Sequence, residues 1–199
     1  MKLQSEKAAS TEDRILEAAL DVIRTHSISG TRISLVAERA GLFQSNIHYY
    51  FKSKRDLLFA VLQRTYNRCH NIRGELRKNA EHTLEKQLDI FFAQKKQFIL
   101  HETQYDYAEL DFWAMTRLDS EVKFLFSASF RGWREEIARV IAQYAPHVSH
   151  ERRDFLAALM VSMMEGATLQ YLVDQDAFQL DAYFDSCRNM ILAQLETEE

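Results

Sequence analysis

The chain of 199 residues is 47% hydrophobic and 12% aromatic, and its net charge is −4 at pH 7. An apolar share this large can form a substantial core, which argues against an intrinsically disordered chain. One proline and five glycines supply few of the turns that a β-sandwich or barrel needs, so the composition predicts an all-α protein.

No apolar leader occurs in the first ten residues, and no run approaches 18 apolar residues. The two cysteines, Cys69 and Cys187, have no metal-ligand spacing. We therefore expect a reduced, cytoplasmic protein that neither spans a membrane nor carries a disulfide framework.

Three helices are predicted before residue 53. The first begins after Ser10, which can form a capping box with Asp13, and it ends near His26, where the sequence SISG follows. The second covers about residues 33–40 and ends at a glycine, and the third covers about residues 44–51.

A longer fourth helix is predicted over about residues 54–79, because Ser53 can cap it and apolar residues continue at helical spacing. This helix joins a head, residues 1–53, to a body, residues 54–199. Five further amphipathic helices are predicted near residues 83–101, 104–117, 120–144, 150–173 and 178–196.

The charge is distributed unevenly between the two ends of the chain. Residues 1–64 carry a net charge of +3, whereas residues 65–199 carry −7. A basic head on an acidic body predicts a polyanionic partner for the head alone.

The stretch GLFQSNIHYYFKSK, residues 41–54, concentrates hydrogen-bonding side chains on one short helix. Ile47 and Phe51 are four residues apart and share a face, so we expect them to anchor the helix to the head. Gln44 and His48 fall on the opposite face. Two short helices joined by a tight turn form a helix-turn-helix, whose second helix enters the major groove of DNA.

The sequence GTRISLVAERAGLFQSNIHYYFKSKRDLL, residues 30–58, resembles the signature of the TetR family of one-component transcriptional repressors. The matching residues are Gly30, Thr31, Val36, Ala37, Ala40, Gly41, Ile47, Tyr50, Phe51, Lys54, Leu57 and Leu58. The resemblance implies an all-α homodimer with a three-helix DNA-binding head and a six-helix body that binds a small molecule and dimerises. It also implies a repressor that binds a palindromic operator and is released by an effector.

The same resemblance assigns roles to individual residues of the head. The base-contacting positions of the family fall on Gln44, Ser45 and His48, and the phosphate-contacting positions fall on Arg32, Asn46, Tyr49, Tyr50 and Lys54. The chemistry agrees, because a glutamine can pair with adenine N6 and N7, and tyrosine hydroxyls can donate to phosphate oxygens. Lys54 begins the fourth helix, where its ammonium and the helix N–H groups both favour a phosphate.

Phe43 departs from the family pattern, since many relatives place a capping serine there. With Phe43 as N-cap, Leu42 and Ile47 still form a hydrophobic staple. We expect the helix to lose about 1 kcal/mol of capping energy and to leave its first N–H groups open to a DNA phosphate. The ring of Phe43 would pack locally or against a thymine methyl group.

The middle of the chain is rich in aromatic residues, more than one six-helix core needs. Each of them can be a core residue, but some are expected to line a cavity for a small hydrophobic or aromatic effector. The candidate pocket residues are Phe91, Phe98, Tyr105, Trp113, Phe130, Trp133, Met163 and Glu165. Four acids lie nearby, namely Glu102, Asp106, Glu109 and Asp111. One of them could orient a cationic or hydrogen-bonding ligand if it faces inward, and otherwise they form a solvated helix face.

An apolar stripe on the last helix, together with one on the helix before it, predicts a four-helix interface between two subunits. The stripe residues are Leu156, Leu159, Phe184, Cys187, Ile191 and Leu195.

Two alternative functions remain open at this stage. A DNA-binding adaptor of the same fold would have no small-molecule effector and would be regulated by a protein partner. A helical-bundle enzyme is disfavoured, because the sequence has no metal-ligand spacing, nucleophile elbow or phosphate loop. We therefore predict no catalytic residue, cofactor or metal.

Overall fold

The computed structural model describes residues 10–196, and every regular element in that range is an α-helix. The helices are α1 Thr11–Gly30, α2 Ile33–Ala40, α3 Gln44–Tyr50, α4 Lys54–Asn79, α5 Leu84–His101, α6 Thr103–Met115, α7 Ser120–Tyr144, α8 His150–Val173 and α9 Leu180–Glu196. The predicted all-α class is confirmed. The observed bounds lie within one or two residues of the predicted ones, except at the end of α1.

The two predicted serine caps are both present. The Asp13 N–H donates to Ser10 Oγ at 3.0 Å and the Ser10 N–H donates to Asp13 Oδ2 at 3.3 Å, which completes the capping box of α1. At the start of α4, the Asp56 N–H donates to Ser53 Oγ at 3.1 Å. Each cap satisfies backbone donors that the first turn of a helix leaves free.

The end of α1 is kinked where the sequence predicted a break. Ser27 has φ 58° and ψ 171°, a conformation that favours glycine, and one further turn of helix follows it. Two side chains from elsewhere hold this turn. Asp111 Oδ2 accepts from the Ile28 N–H at 2.6 Å, and Lys54 Nζ donates to the Ile28 carbonyl at 2.7 Å.

The core consists of two hydrophobic clusters. The first joins α1–α4 to Phe98 of α5, to α6 and to the first half of α7, so it continues from the head into the body. The second joins α5, α7, α8 and α9. Because α6 packs against α1 as well as α5 and α7, it lies between the head and the rest of the body.

Most of the residues that were predicted to form the subunit interface are buried inside their own protomer. Leu156 and Ile191 are fully buried, and Phe184, Cys187 and Leu195 are almost so. Leu159 packs against the same cluster, and the Phe184 ring lies 5.4 Å from the Phe92 ring of α5. Helical spacing marks an apolar face but does not say whether the same chain or a second chain covers it.

The helix α8 is long and apolar enough to cross a membrane by length and composition, with a mean hydropathy of 1.4 over 18 residues. Only 39% of these 18 residues are buried in the protomer. Core and interface helices of globular proteins have the same composition, so it does not by itself assign a membrane span.

Candidate functional site

The turn between α2 and α3 is built on Gly41. Its φ of 64° is in the left-handed region, where any side chain with a Cβ is strained. The Gly41 N–H donates to the Glu38 carbonyl at 3.0 Å and the Leu42 N–H donates to the Ala37 carbonyl at 2.9 Å. These bonds end α2 sharply and direct the chain into α3.

The helix α3 has seven residues, of which only Ile47 is buried. Phe51, which follows the helix, is buried as well, so the two predicted anchors both face the core. Gln44, Ser45 and His48 are exposed on the opposite side. This distribution leaves the hydrogen-bonding face of α3 free for a partner.

The candidate phosphate contacts lie in two different environments. Arg32, Asn46, Tyr49 and Tyr50 are exposed, and the two tyrosine rings meet edge to face at 5.1 Å. Lys54 is partly buried, and its ammonium already donates to the Ile28 carbonyl; burial lowers the pKa of Lys54. Its side chain therefore has a structural role that the sequence did not indicate.

Lys52 is a candidate phosphate contact that the sequence reasoning missed. It is exposed beside α3, with Nζ 3.4 Å from the Tyr49 carbonyl and 3.5 Å from the His48 carbonyl. The signal was present in the sequence, since Lys52 lies next to the last residue of the predicted helix.

Phe43 is the N-cap of α3, as predicted, and makes no side-chain cap. Its ring is 81% exposed, so it does not pack locally in the protomer. The Phe43 N–H donates to Asn46 Oδ1 at 3.0 Å, which is one half of a capping box. The amides of Gln44 and Ser45 precede the first intrahelical bond and remain directed outward at the helix start.

Replacing Phe43 with serine is expected to raise the melting temperature, because serine Oγ can accept from the Asn46 N–H and complete the capping box. A gain of about 1 kcal/mol is typical of such a cap. Thermal unfolding followed by circular dichroism measures it. The Phe43→Ala variant removes the ring without adding a cap, so equal melting temperatures for the two variants would show that no cap forms.

A buried charged cluster lies in the body, centred on Lys95 of α5. Its Nζ is 3.0 Å from Asp106 Oδ1, 3.2 Å from Glu109 Oε2 and 3.0 Å from Glu165 Oε1. Lys95 and Asp106 have almost no exposed surface. We refer to these four residues as the Lys95 cluster; they come from α5, α6 and α8.

Burial and mutual repulsion set the protonation of the cluster. Burial raises the pKa of Asp106 to about 6, although Lys95 opposes the shift. Burial and the charge of Glu109 raise the pKa of Glu165 to about 7. Burial alone would lower the pKa of Lys95, but the carboxylates outweigh it and keep this ammonium charged.

Two cavities adjoin the Lys95 cluster. A small internal cavity of about 50 Å³ lies among α4, α5, α6 and α7, with Lys95, Phe98 and Trp133 in its wall. A cleft of about 510 Å³ lies between α6, α7 and α8. Glu109 lines both cavities.

The predicted pocket residues are divided among these environments. Trp113, Phe130 and Glu165 line the cleft, and Phe98 and Trp133 line the internal cavity. The other three candidate residues line neither of these two spaces. Phe91 and Met163 belong to the second core cluster, and the buried Tyr105 stacks on Phe98 at 5.0 Å. The aromatic content of the sequence does not show which residues line a cavity and which lie in the hydrophobic core.

The body also brings together groups that the sequence did not associate. Lys95 was not among the candidates, and Asp106 and Glu109 were expected to be solvated unless they faced inward. A second buried ion pair extends from this region, where Arg73 Nη2 lies 3.0 Å from Glu136 Oε2 and Arg73 Nη1 donates to Gln94 Oε1 at 2.9 Å.

A three-helix head with an exposed reading helix, joined to a helical body with a polar cleft, is the architecture of a DNA-binding transcriptional regulator. Two family models match the chain. The model described as bacterial regulatory proteins, tetR family, matches residues 15–61, and the model described as BetI-type transcriptional repressor, C-terminal, matches residues 107–196. The chain therefore belongs to the TetR family, whose members are DNA-binding regulators and not enzymes.

Individual proteins share the sequence or the fold of this chain. An uncharacterised helix-turn-helix regulator from the dhlA 5′ region of Xanthobacter autotrophicus is 26% identical over 192 residues, covering 95% of this chain and 92% of that protein. A transcriptional regulator from Rhodococcus sp. Rha1 superimposes with a TM-score of 0.80 at 15% identity, covering 96% and 100% of the two chains.

A solved structure from Saccharomonospora viridis, assigned as a transcriptional regulator and determined in complex with choline, has a TM-score of 0.78 at 22% identity. It covers 91% of this chain and 95% of its own. At this identity the likeness establishes a shared fold.

Proposed function

We propose that this regulator represses transcription in the cytoplasm by binding a palindromic operator as a homodimer, and that a small molecule in the cleft releases it. One observation carries the proposal: α6 contacts both functional regions. Its Glu109 lines the cleft, and its Asp111 accepts from the Ile28 N–H at the end of α1. A change in the cleft that moves α6 therefore acts directly on the head.

DNA recognition is assigned to the exposed side of the head. Gln44, Ser45 and His48 read base edges. Arg32, Asn46, Tyr49, Tyr50 and Lys54 contact phosphates, with Lys52 added to the set. The net charge of +3 over residues 1–64 supports this assignment, because phosphate contacts supply much of the affinity for DNA.

Dimerisation is assigned to the outer face of α8, together with that of α9. Phe155 and Val173 of α8 and Met190 of α9 are exposed and lie outside the cleft. These exposed apolar residues supply area for the contact. In such a dimer the two recognition helices must lie about 34 Å apart to enter successive major grooves.

Release follows from a population shift. An effector that binds better when α6 is displaced favours a head spacing that no longer fits the operator. A coupling free energy of about 1–3 kcal/mol changes operator affinity by a factor of about 5 to about 150. The choline complex of the Saccharomonospora viridis protein supports a small-molecule response in this fold.

Two substitutions in the head test DNA recognition. Gln44→Ala should reduce discrimination at one base pair by about 1–3 kcal/mol and leave other positions unchanged. Lys52→Ala should weaken binding to every sequence and lower the salt slope by about one. Fluorescence anisotropy with the DNA upstream of the gene, at several salt concentrations, measures both effects.

Lys86→Ala is the control for this experiment, because Lys86 is an exposed lysine on α5, outside the head. It should bind the operator as the unmodified protein does. Unchanged binding in both head variants would refute the proposed orientation of α3 on DNA.

A further inference from the structure

The Lys95 cluster contains more negative than positive charge. One ammonium faces three carboxylates within 3.2 Å. Asp106 Oδ2 is buried without a hydrogen-bond partner in the described range, and Glu165 Oε1 touches Lys95 Nζ without hydrogen-bond geometry. Buried carboxylates normally have their acceptors satisfied and their charge compensated. The cluster therefore lacks a positive partner.

We propose that the effector is an organic cation with an apolar or aromatic body, which binds in the cleft with its positive group beside Glu109 and Glu165. This inference rests on the proposed function, because it names the chemical class of the effector. The ligand supplies the positive charge that the cluster lacks.

The cleft walls suit such a ligand. Trp113, Phe126 and Phe130 line the cleft together with the two glutamates. Aromatic ring faces attract cations, and the attraction increases when the site excludes water. A volume of about 510 Å³ is within the range of small-molecule sites.

The charged groups around Glu165 come from three other helices. Lys95 lies on α5, Asp106 and Glu109 lie on α6, and Arg134 of α7 lines the same cleft. No carboxylate lies within ion-pair distance of Arg134 in the described part of the chain. The net charge of these five residues is still −1 when all of them are ionised, so the cleft favours a cation over an anion.

Protonation provides a second test of the site. A bound cation favours the ionised form of Glu165 and Asp106, whose pKa values burial has raised to about 7 and about 6. Binding therefore releases protons, and affinity rises as the pH increases from 5.5 to 8. A neutral ligand held by the aromatic walls would not show this dependence.

The experiment uses the full chain and a panel of small probes. The cations are benzyltrimethylammonium, choline and 2-phenylethylammonium, and the matched anion and neutral probes are phenylacetate and benzyl alcohol. Isothermal titration calorimetry and thermal shift at pH 5.5, 7 and 8 measure binding. We expect at least one cation to bind, more tightly at pH 8, and to weaken operator binding, whereas phenylacetate and benzyl alcohol do neither.

Glu165→Gln is the decisive variant. It should lower cation affinity at least tenfold and flatten its pH dependence. The variant should remain folded, because it removes a carboxylate that repels Glu109. Glu135→Gln, the same change at an exposed position of α7, is the control and should bind cations normally. Arg134→Gln should leave cation binding unchanged or strengthen it.

Several outcomes would overturn the inference. They are the absence of binding by every cation in the panel, binding of phenylacetate that Arg134→Gln abolishes, and cation binding that leaves operator affinity unchanged. Operator binding by the ligand-free protein is measured separately. If the ligand-free protein does not bind the operator, the proposed function is wrong. If it binds the operator but no cation affects it, only the effector class is rejected, and an adaptor without an effector is favoured.

Discussion

Replacing Lys95 with methionine is expected to lower the free energy of unfolding by about 3–5 kcal/mol at pH 7.5. The substitution removes the ammonium that lies within 3.2 Å of three carboxylates. Methionine fills a similar volume, so the loss reflects uncompensated charge and not a cavity. Urea denaturation followed by circular dichroism measures the change.

The destabilisation of Lys95→Met should be smaller at pH 5.5 than at pH 7.5. Asp106 and Glu165 have folded-state pKa values of about 6 and about 7, above those of the unfolded chain, and loss of Lys95 raises them further. A carboxyl group with a raised folded-state pKa binds protons more tightly in the folded state. Its protonation therefore stabilises the fold as the pH falls through that pKa.

Lys96→Met provides a control with the same chemical change one residue along α5. Lys96 pairs with Asp181 at 2.5 Å on the surface, where such a pair contributes less than about 1 kcal/mol. Equal losses for the two variants, or a loss for Lys95→Met that does not depend on pH, would contradict the charge imbalance in the cluster.

The second large effect is expected for Ile47→Ala, which should reduce operator affinity at least about hundredfold, or about 2.7 kcal/mol. Ile47 is the only buried residue of α3, and an isoleucine-to-alanine change in a core costs about 2–5 kcal/mol. A helix of seven residues is not stable in water without such an anchor. The hydrogen-bonding face of α3 would therefore lose its position on the head.

Ile191→Ala is the matched control for Ile47→Ala. Ile191 is fully buried in the second cluster of the body, so the variant should lose comparable stability and keep its operator affinity at 20 °C. Fluorescence anisotropy with operator DNA, combined with thermal unfolding, separates the two effects. Normal operator binding by Ile47→Ala would show that α3 does not read the DNA.

The helices and the reading face of α3 were predictable because they depend on residues close together in the chain. The capping box of α1 and the serine cap of α4 each span three residues, from Ser10 to Asp13 and from Ser53 to Asp56. The orientation of Ile47 and Gln44 follows from the helical repeat. The hydrogen bond from the Phe43 N–H to Asn46 Oδ1 is equally local, since it also spans three residues.

The interface and pocket residues were less predictable, because an apolar or aromatic side chain can meet any other apolar surface. Ile191 belongs to a regular stripe, yet its neighbours are in the same protomer. Phe91 and Trp133 are both aromatic residues on body helices, but Phe91 is fully buried in the core, whereas Trp133 is partly buried and lines the internal cavity. Whether such a side chain lies in the core, in a cavity wall or at an interface depends on how the helices pack, and the spacing of apolar residues along the chain does not determine that packing.

The sequence by itself determined the helical class, the helix order, the turn at Gly41 and the polar face of α3, since these result from local propensities and spacing. Only the tertiary structure decided that Lys95 lies beside Glu165, that Asp111 accepts a hydrogen bond from the Ile28 N–H, and that Lys54 donates one to the Ile28 carbonyl. Coulomb energy and desolvation depend on distance and burial in space, and these residues come together only when α1, α4, α5, α6 and α8 are packed.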